Sequence, residues 1–304
     1  MSQKLVDLKN RMRSVENIKQ TTDTMATVSA AKLARARRKA LGLQKYAKKL
    51  RQMALLQTQT NIDPNISPLL QKSSKIKKVA IFVIASDIGM CGSFNGKICK
   101  KGHMFLDDLK EKNIEGYIWI KGTRGEKYFK KKTNYPILKV EPWVEGGGVS
   151  MDDTLDVINN MSDLFFNEGY DEIYCAYTKF LGPAKREPKV IKMLPLVFDI
   201  KSGAKKVTSM TQWIYEPNQN SILVELIPTY FKVQVFDILL ESFASEQGAR
   251  MMAMEEASER ADKKLITMLR EFNKIRKDLI TLDLLGILSA AKVIEKEAAS
   301  QTGF

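Results

Sequence analysis

Only one histidine and three cysteines stand among the 304 residues, and that scarcity closes several routes. Cys91, Cys99 and Cys175 are odd in number and scattered, so they suggest no disulfide framework and lack the spacing of a zinc site. A Cys–His nucleophilic pair would depend on His103 alone. No Gly-rich loop ends in Gly-Lys-Ser/Thr, which leaves out a P-loop phosphate cradle. No run of about eighteen apolar residues occurs, and the N-terminal stretch is charged where a signal peptide would be apolar. The expectation is a soluble chain of the cell interior, with no direct insertion into lipid.

Proline is missing from about Ser2 to Thr60, and Gly42 is the one breaker in that stretch. Alternating steps of three and four give Leu5, Leu8, Met12, Val15, Lys19, Thr22, Ala26, Ser29, Leu33, Ala36, Ala40, Leu43, Ala47, Leu50 and Ala54, a coiled-coil seam. Small residues in its middle would admit a partner helix closely. A helix of this length would extend about 80 Å. A second helix-forming stretch begins near Asn220 and runs to about Ser300, with Met254, Ala257, Ala261, Leu265, Met268, Phe272, Ile275, Leu279 and Leu282 as its seam. One extra four-step after Ala261 resembles a stutter. The partner helix is thus expected in the same chain. Pro228 should kink or restart this second helix, because it supplies no amide hydrogen.

Acidic residues are scarce in the N-terminal stretch, where Asp7, Glu16 and Asp23 face fourteen lysines and arginines. The whole chain carries a formal net charge of +14. A rod this basic calls for an acidic neighbour, and nucleic acid meets that need on composition alone. A solvated helix face accounts for the same residues without any partner.

Between the helices, near-continuous apolar runs at Lys78–Ser86, Gly116–Lys121, Asp171–Tyr177 and Lys189–Val197 alternate with helical patterns at Phe94–Lys112, Thr123–Lys132 and Asp152–Glu168. That order predicts a mainly parallel sheet covered on both faces. The fold class expected is α/β: a long antiparallel coiled coil of N- and C-terminal helices plus a Rossmann-like α/β body. The expected domains are residues 1–60, 75–205 and 220–300, joined by linkers at 61–74 and 202–220.

The loop after the first strand, Ser86 to Asn95, occupies the place where open α/β sheets bind ligands. Asp87 in it could ligate a metal and Cys91 could be a nucleophile, yet no second carboxylate accompanies Asp87 at metal-binding spacing. Gly122-Thr-Arg-Gly125 is a weak echo of an anion loop, and Gly146-Gly147-Gly148 lacks a following phosphate-binding helix signature. A turn or packing role is the simpler account of all three. No cofactor, no metal and no catalytic residue is expected.

Three blocks carry a resemblance. The run Leu8-Lys-Asn-Arg-Met-Arg-Ser-Val-Glu-Asn-Ile-Lys-Gln-Thr-Thr, followed by Met25-Ala-Thr-Val-Ser-Ala-Ala-Lys-Leu33, resembles the opening helix of the gamma subunits of F-type ATP synthases. Ser86-Asp-Ile-Gly-Met-Cys-Gly-Ser-Phe-Asn95 is similar to that family's turn after its first strand, with Ile88 where the family usually has arginine. Leu239-Leu-Glu-Ser-Phe-Ala-Ser-Glu-Gln-Gly-Ala-Arg-Met-Met-Ala-Met254, continuing through Asn273 to Thr281, is similar to its C-terminal helix.

The resemblance implies a non-catalytic central rotor. Its partners would be the alpha and beta subunits of a catalytic hexamer, the epsilon subunit and the membrane ring of c subunits. Ion flow would turn it, and its unlike faces would meet three catalytic sites in succession. The residues carried over as beta-subunit contacts are Met25, Lys32, Arg35, Arg276, Lys277 and Thr281. Lys277 stands where the family commonly has glutamine, and Gly286 where it has glutamate. Leu282, Leu285, Leu288 and Val293 would form an apical bearing. Asp87, Gly89, Cys91, Gly92 and Asn95 mark the body motif loop. The expected place is the cytoplasmic face of a bacterial plasma membrane, peripherally attached, since no transit segment precedes Lys4, with the mitochondrial matrix or chloroplast stroma as the alternative. The other reading is a basic coiled-coil scaffold that binds nucleic acid, and a narrower one is a rotor in a machine that hydrolyses ATP without pumping ions.

Overall fold

The computed structural model describes residues 3–58, 67–73, 75–143, 148–197 and 218–301. In order these form α1 (Gln3–Thr58), a 3-10 turn at Pro68–Leu70, β1 (Lys78–Ile84), α2 (Phe94–Glu111), β2 (Glu115–Lys121), α3 (Thr123–Lys132), β3 (Ile137–Glu141), α4 (Met151–Phe166), β4 (Glu172–Phe180), β5 (Arg186–Leu194) and α5 (Gln219–Gln301). Most of the second expected linker, part of the first, and Gly146 and Gly147 lie outside the described residues. The chain divides into two compact units, one of Met1–Ala26 with Met254–Phe304, the other of Thr27–Ala253.

In the first unit the opening turns of α1 lie along the later part of α5. Lys19 of α1 forms an ion pair with Asp262 of α5. Leu5, Leu8, Thr22 and Ala26 are buried, with Met12, Val15 and Lys19 half-buried between them, as the seam predicts. On α5 Met254, Ala261 and Met268 are buried and Ala257, Leu265, Phe272, Ile275 and Leu279 half-buried. Burial then stops, and Leu282, placed in the seam from sequence, is 63% exposed. The cause is length. Counting back from Lys19 reaches Gln3 as counting forward from Asp262 reaches Asp278 in an antiparallel pair, so the described part of α1 ends opposite that point.

The second unit is built on a five-stranded sheet of order β3-β2-β1-β4-β5. Its pairs are parallel except β4 with β5, which is antiparallel. β1 is buried along nearly its whole length, as a central strand covered on both faces must be. Val79, Ile81 and Val83 meet α2 and α3 on one face, through Ile98, Leu106 and Phe129. Ala80, Phe82 and Ile84 meet the other layer, which contains Val157 and Met161 of α4 and Leu223, Ile227, Phe231, Val235 and Leu239 of α5. The early part of α5 is therefore a core helix of this layer, and Ser242–Arg250 is buried all the way round. Within this unit α1 and α5 run antiparallel, since Leu33 touches the Gly248 position while Leu50 clusters with Leu226.

Two expectations change. β3 was not expected; it is a short edge strand with half-buried apolar residues, bracketed by Pro136 and Pro142. Pro228 does not restart the second helix, because α5 runs through it. The carbonyl that loses its amide partner there belongs to Val224, a residue 51% exposed.

Candidate functional site

Ser86 to Asn95 leaves the C-terminal end of β1, and its polar groups are spent on holding the loop in place. Asn95 receives the Ser86 amide on Oδ1 at 2.9 Å and donates through Nδ2 to Ser86 Oγ at 2.7 Å and Cys91 Sγ at 3.2 Å. Asp87 Oδ1 accepts the Thr123 amide at 2.8 Å and its Oδ2 accepts the Trp143 amide at 2.7 Å. Both carboxylate oxygens are thus committed to backbone, and the Gly122–Gly125 turn has a protein carboxylate where an anion would sit. Gly122 has φ +104°, and a Cβ there would lie 2.4 Å from the Ala85 carbonyl oxygen. Gly92 also sits at positive φ, +57°. Cys91 is buried in a cluster with Phe94 and Ala249. Burial pushes the Cys99 thiol up to about 12 and Cys175 up as well, so neither has thiolate character. Among the described residues no group of three or more His, Cys, Asp or Glu side chains could hold a metal ion.

α5 fastens this loop from the other side. Arg250 Nη2 donates to the Ile88 carbonyl at 3.0 Å, and its Nη1 donates to Glu246 Oε1 at 2.7 Å. The pair is enclosed, with side chains 10% and 8% exposed. Burial raises the Glu246 pKa, and the Arg250 charge opposes that rise. From sequence this block reads as a motif alone. Its signal was present in the i, i+4 spacing of Glu246 and Arg250 within a run that is otherwise small or apolar.

The residues carried over as partner contacts lie in different surroundings. In the first unit Met25 is half-buried, while Arg276, Lys277 and Thr281 are exposed, Thr281 Oγ1 donating to the Lys277 carbonyl at 2.9 Å. In the second unit Arg35 is exposed, but Lys32 is half-buried and its charge acts on Glu246. Other α1 cations are also used internally: Lys39 Nζ donates to the Val149 carbonyl at 3.3 Å, and Arg37 lies over the Phe180 ring at 5.8 Å.

Past Leu279 every described side chain of α5 through Ile294 is exposed. The segment Ile280–Gln301 is helical for about 33 Å. It presents Ile280, Leu284, Ile287 and Ile294 to solvent beside Leu282, Leu285, Leu288 and Val293. An exposed aliphatic helix of this size is the mark of an interaction surface. Among the described residues none of these side chains is buried against α1. No helix among the described residues is long and apolar enough to cross a membrane.

The class is an α/β body whose loop after the central strand is held by its own side chains, in a chain whose last helix ends bare and apolar. The family model described as ATP synthase matches residues 4–294. An ATP synthase gamma chain of Geobacter metallireducens is 33% identical over 295 residues, covering 96% of this chain and 99% of the other. That of Chlorobaculum tepidum is 30% identical over 299 residues, again covering 96% and 99%. A chain of the Euglena gracilis mitochondrial ATP synthase, solved as an OSCP/F1/c-ring assembly, has a TM-score of 0.66 at 16% identity, covering 99% of this chain and 97% of that one, which shows a shared fold. The chain belongs to the gamma subunit family of F-type ATP synthases.

Proposed function

We propose that this chain is the central rotor of its ATP synthase, turned by a membrane c ring and acting on the catalytic beta subunits without forming or breaking a bond itself. The bare apolar end of α5 is the observation that carries this reading. A leucine- and isoleucine-covered helix in water is stabilised by enclosure, and a sleeve of apolar side chains would hold it without directional hydrogen bonds to break as it turns. Leu282, Leu285, Leu288 and Val293 would line that bearing.

Transmission of torque requires each rotor angle to favour a different beta-subunit state, so the contacts must differ around the circumference. Arg276, Lys277 and Thr281 supply polar contacts on α5 just before the bearing, and the planar fork of Arg276 suits a carboxylate. Met25, Lys32 and Arg35 would meet the beta subunits along α1. The body would rest with the epsilon subunit on the c ring, placing the chain peripherally at the cytoplasmic face of a bacterial plasma membrane. The non-catalytic role is supported by the loop after β1, where Asp87 is consumed in holding backbone amides and Cys91 Sγ in accepting from the Asn95 side chain.

Copurification tests the assignment. Tagged chain should recover stoichiometric alpha and beta subunits, and recovery of RNA or DNA as the sole partner would overturn it.

A further inference from the structure

A small pocket opens between the N-terminus of α2 and the hairpin that joins β4 to β5. It has a volume of about 50 Å³ and is lined by Ser93, Phe94, Lys97, Thr178, Ala184, Arg186 and Pro188. No acidic side chain is in that lining, and the polar groups present are a guanidinium, an ammonium and two hydroxyls.

Two of those groups are buried without a partner. Thr178 is 4% exposed, and its Oγ1 makes no hydrogen bond. Arg186 Nη1 is likewise enclosed with no acceptor. A guanidinium nitrogen cut off from water with nothing to donate to costs free energy, and such atoms in a native fold call for an acceptor that the described residues do not supply. Burial draws the Arg186 pKa down.

The helix end adds donors. Ser93 caps α2 but makes no side-chain capping bond, which leaves its hydroxyl available. The Lys97 amide is the first to bond within the helix, to the Ser93 carbonyl at 3.0 Å, while the Phe94 amide turns back to the Cys91 carbonyl. The amides of Asn95 and Gly96 therefore have no intrahelical acceptor, and the positive end of the helix dipole is added to Arg186 and Lys97. The pocket also lies where β1 and β4, adjacent in the sheet, send their chains to opposite sides, the switch point at which open α/β sheets take ligands.

We propose that this pocket binds a small tetrahedral oxyanion, inorganic phosphate, with Arg186 and Thr178 at its floor and Ser93, Lys97 and the α2 amides at its mouth. Its volume exceeds what one water needs and suits a group of a few heavy atoms, which excludes a whole nucleotide. The anion would bridge the edge hairpin to α2 and so hold the outermost strand to the body. The site is independent of the rotor reading.

Equilibrium dialysis of the full chain against labelled phosphate, at ionic strength fixed with chloride, provides the test. Saturable binding of one phosphate per chain is expected, displaced by sulfate and unaffected by chloride. Phosphate at ten times its Kd should shift the folding equilibrium about eleven-fold toward the folded state. Arg186→Gln should weaken binding about tenfold or more. Because Arg186 is partly buried, Ser93→Ala and Lys97→Gln, both at exposed positions, serve as variants that keep the fold, and each should weaken binding measurably. Absence of saturable binding, or binding unchanged in all three variants, would overturn the proposal. Binding to phosphatidylglycerol vesicles without binding of free phosphate would overturn it in favour of a lipid headgroup.

Discussion

Replacing Arg250 with methionine isolates what the α5 clip contributes. Methionine keeps much of the aliphatic stem, so packing changes little, while Glu246 loses its ion-pair partner, keeping only the Gln247 amide at 3.2 Å and the Lys32 charge, and the Ile88 carbonyl loses a donor. Removing one member of a buried pair costs about 3–5 kcal/mol, because the remaining charge is left in a low-dielectric site. For a unit of this size each kcal/mol lowers Tm by about 2–4 °C, so thermal unfolding followed by circular dichroism should show a fall of roughly 6–20 °C. The sign with pH follows from Glu246. Burial already raises its pKa, and without Arg250 the neutral form is favoured further. The folded variant should therefore take up a proton as pH falls, and the gap from the parent should narrow toward the ordinary carboxylate range. A second variant, Arg250→Met with Glu246→Gln, should recover part of the loss at neutral pH. A single variant within about 0.5 kcal/mol of the parent, the size of an ordinary surface change, would refute the reasoning, as would a gap that widens in acid.

Glu241 makes a separate prediction, since burial first and then the neighbouring Asp237 raise its pKa to about 7, against Lys179, Lys189 and the Tyr177 hydroxyl. A carboxyl raised in the fold binds a proton the unfolded chain has released, so stability should increase as pH falls from about 7 toward 4.5. Discounted for partial exposure, the gain is roughly 1–2 kcal/mol. Glu241→Gln should remove that slope and raise Tm at pH values above the folded pKa; an unchanged pH profile would refute the assignment. Arg276→Ala with Lys277→Ala should leave folding and assembly intact, because both side chains are exposed, while lowering torque in ATP-driven rotation. Undiminished torque would discard these two as the catch on the beta subunit.

Periodicity made the seams legible. Every described position of the α1 seam from Leu5 to Leu50 is buried or half-buried, because heptad spacing and helical geometry leave little choice of face. The four apolar runs became strands because a strand covered on both faces must be apolar nearly throughout. β3 carries no such signal, because its five residues Ile137–Glu141 are too few and too mixed in polarity to form an apolar run. The early part of α5 was harder for a different reason. Its burial is decided by a sheet and by α4, both distant in sequence, and over Ser242–Arg250, buried on every side, there is no single stripe to read. The end of the α5 seam was also invisible locally, since Leu282 has the right spacing and only the end of the described α1 segment leaves it bare.

The candidate site divides the same way. The loop after β1 was legible as a motif, but its work was not. The residues that give Asp87 and Cys91 their partners come from separate elements, Thr123 from the start of α3, Trp143 from beyond β3 and Asn95 from α2, and Arg250 approaches from α5. Nor does sequence spacing reveal that Thr178 and Arg186 face the start of α2 without partners.

The rotor claim is tested most directly by watching the body move. The described cysteines are all buried, so a cysteine introduced at exposed Lys101 on α2 can carry a bead selectively. With the alpha and beta subunits fixed to a surface and ATP supplied, the bead should turn stepwise in one direction. A complex that hydrolyses ATP while the bead stays still would contradict the account.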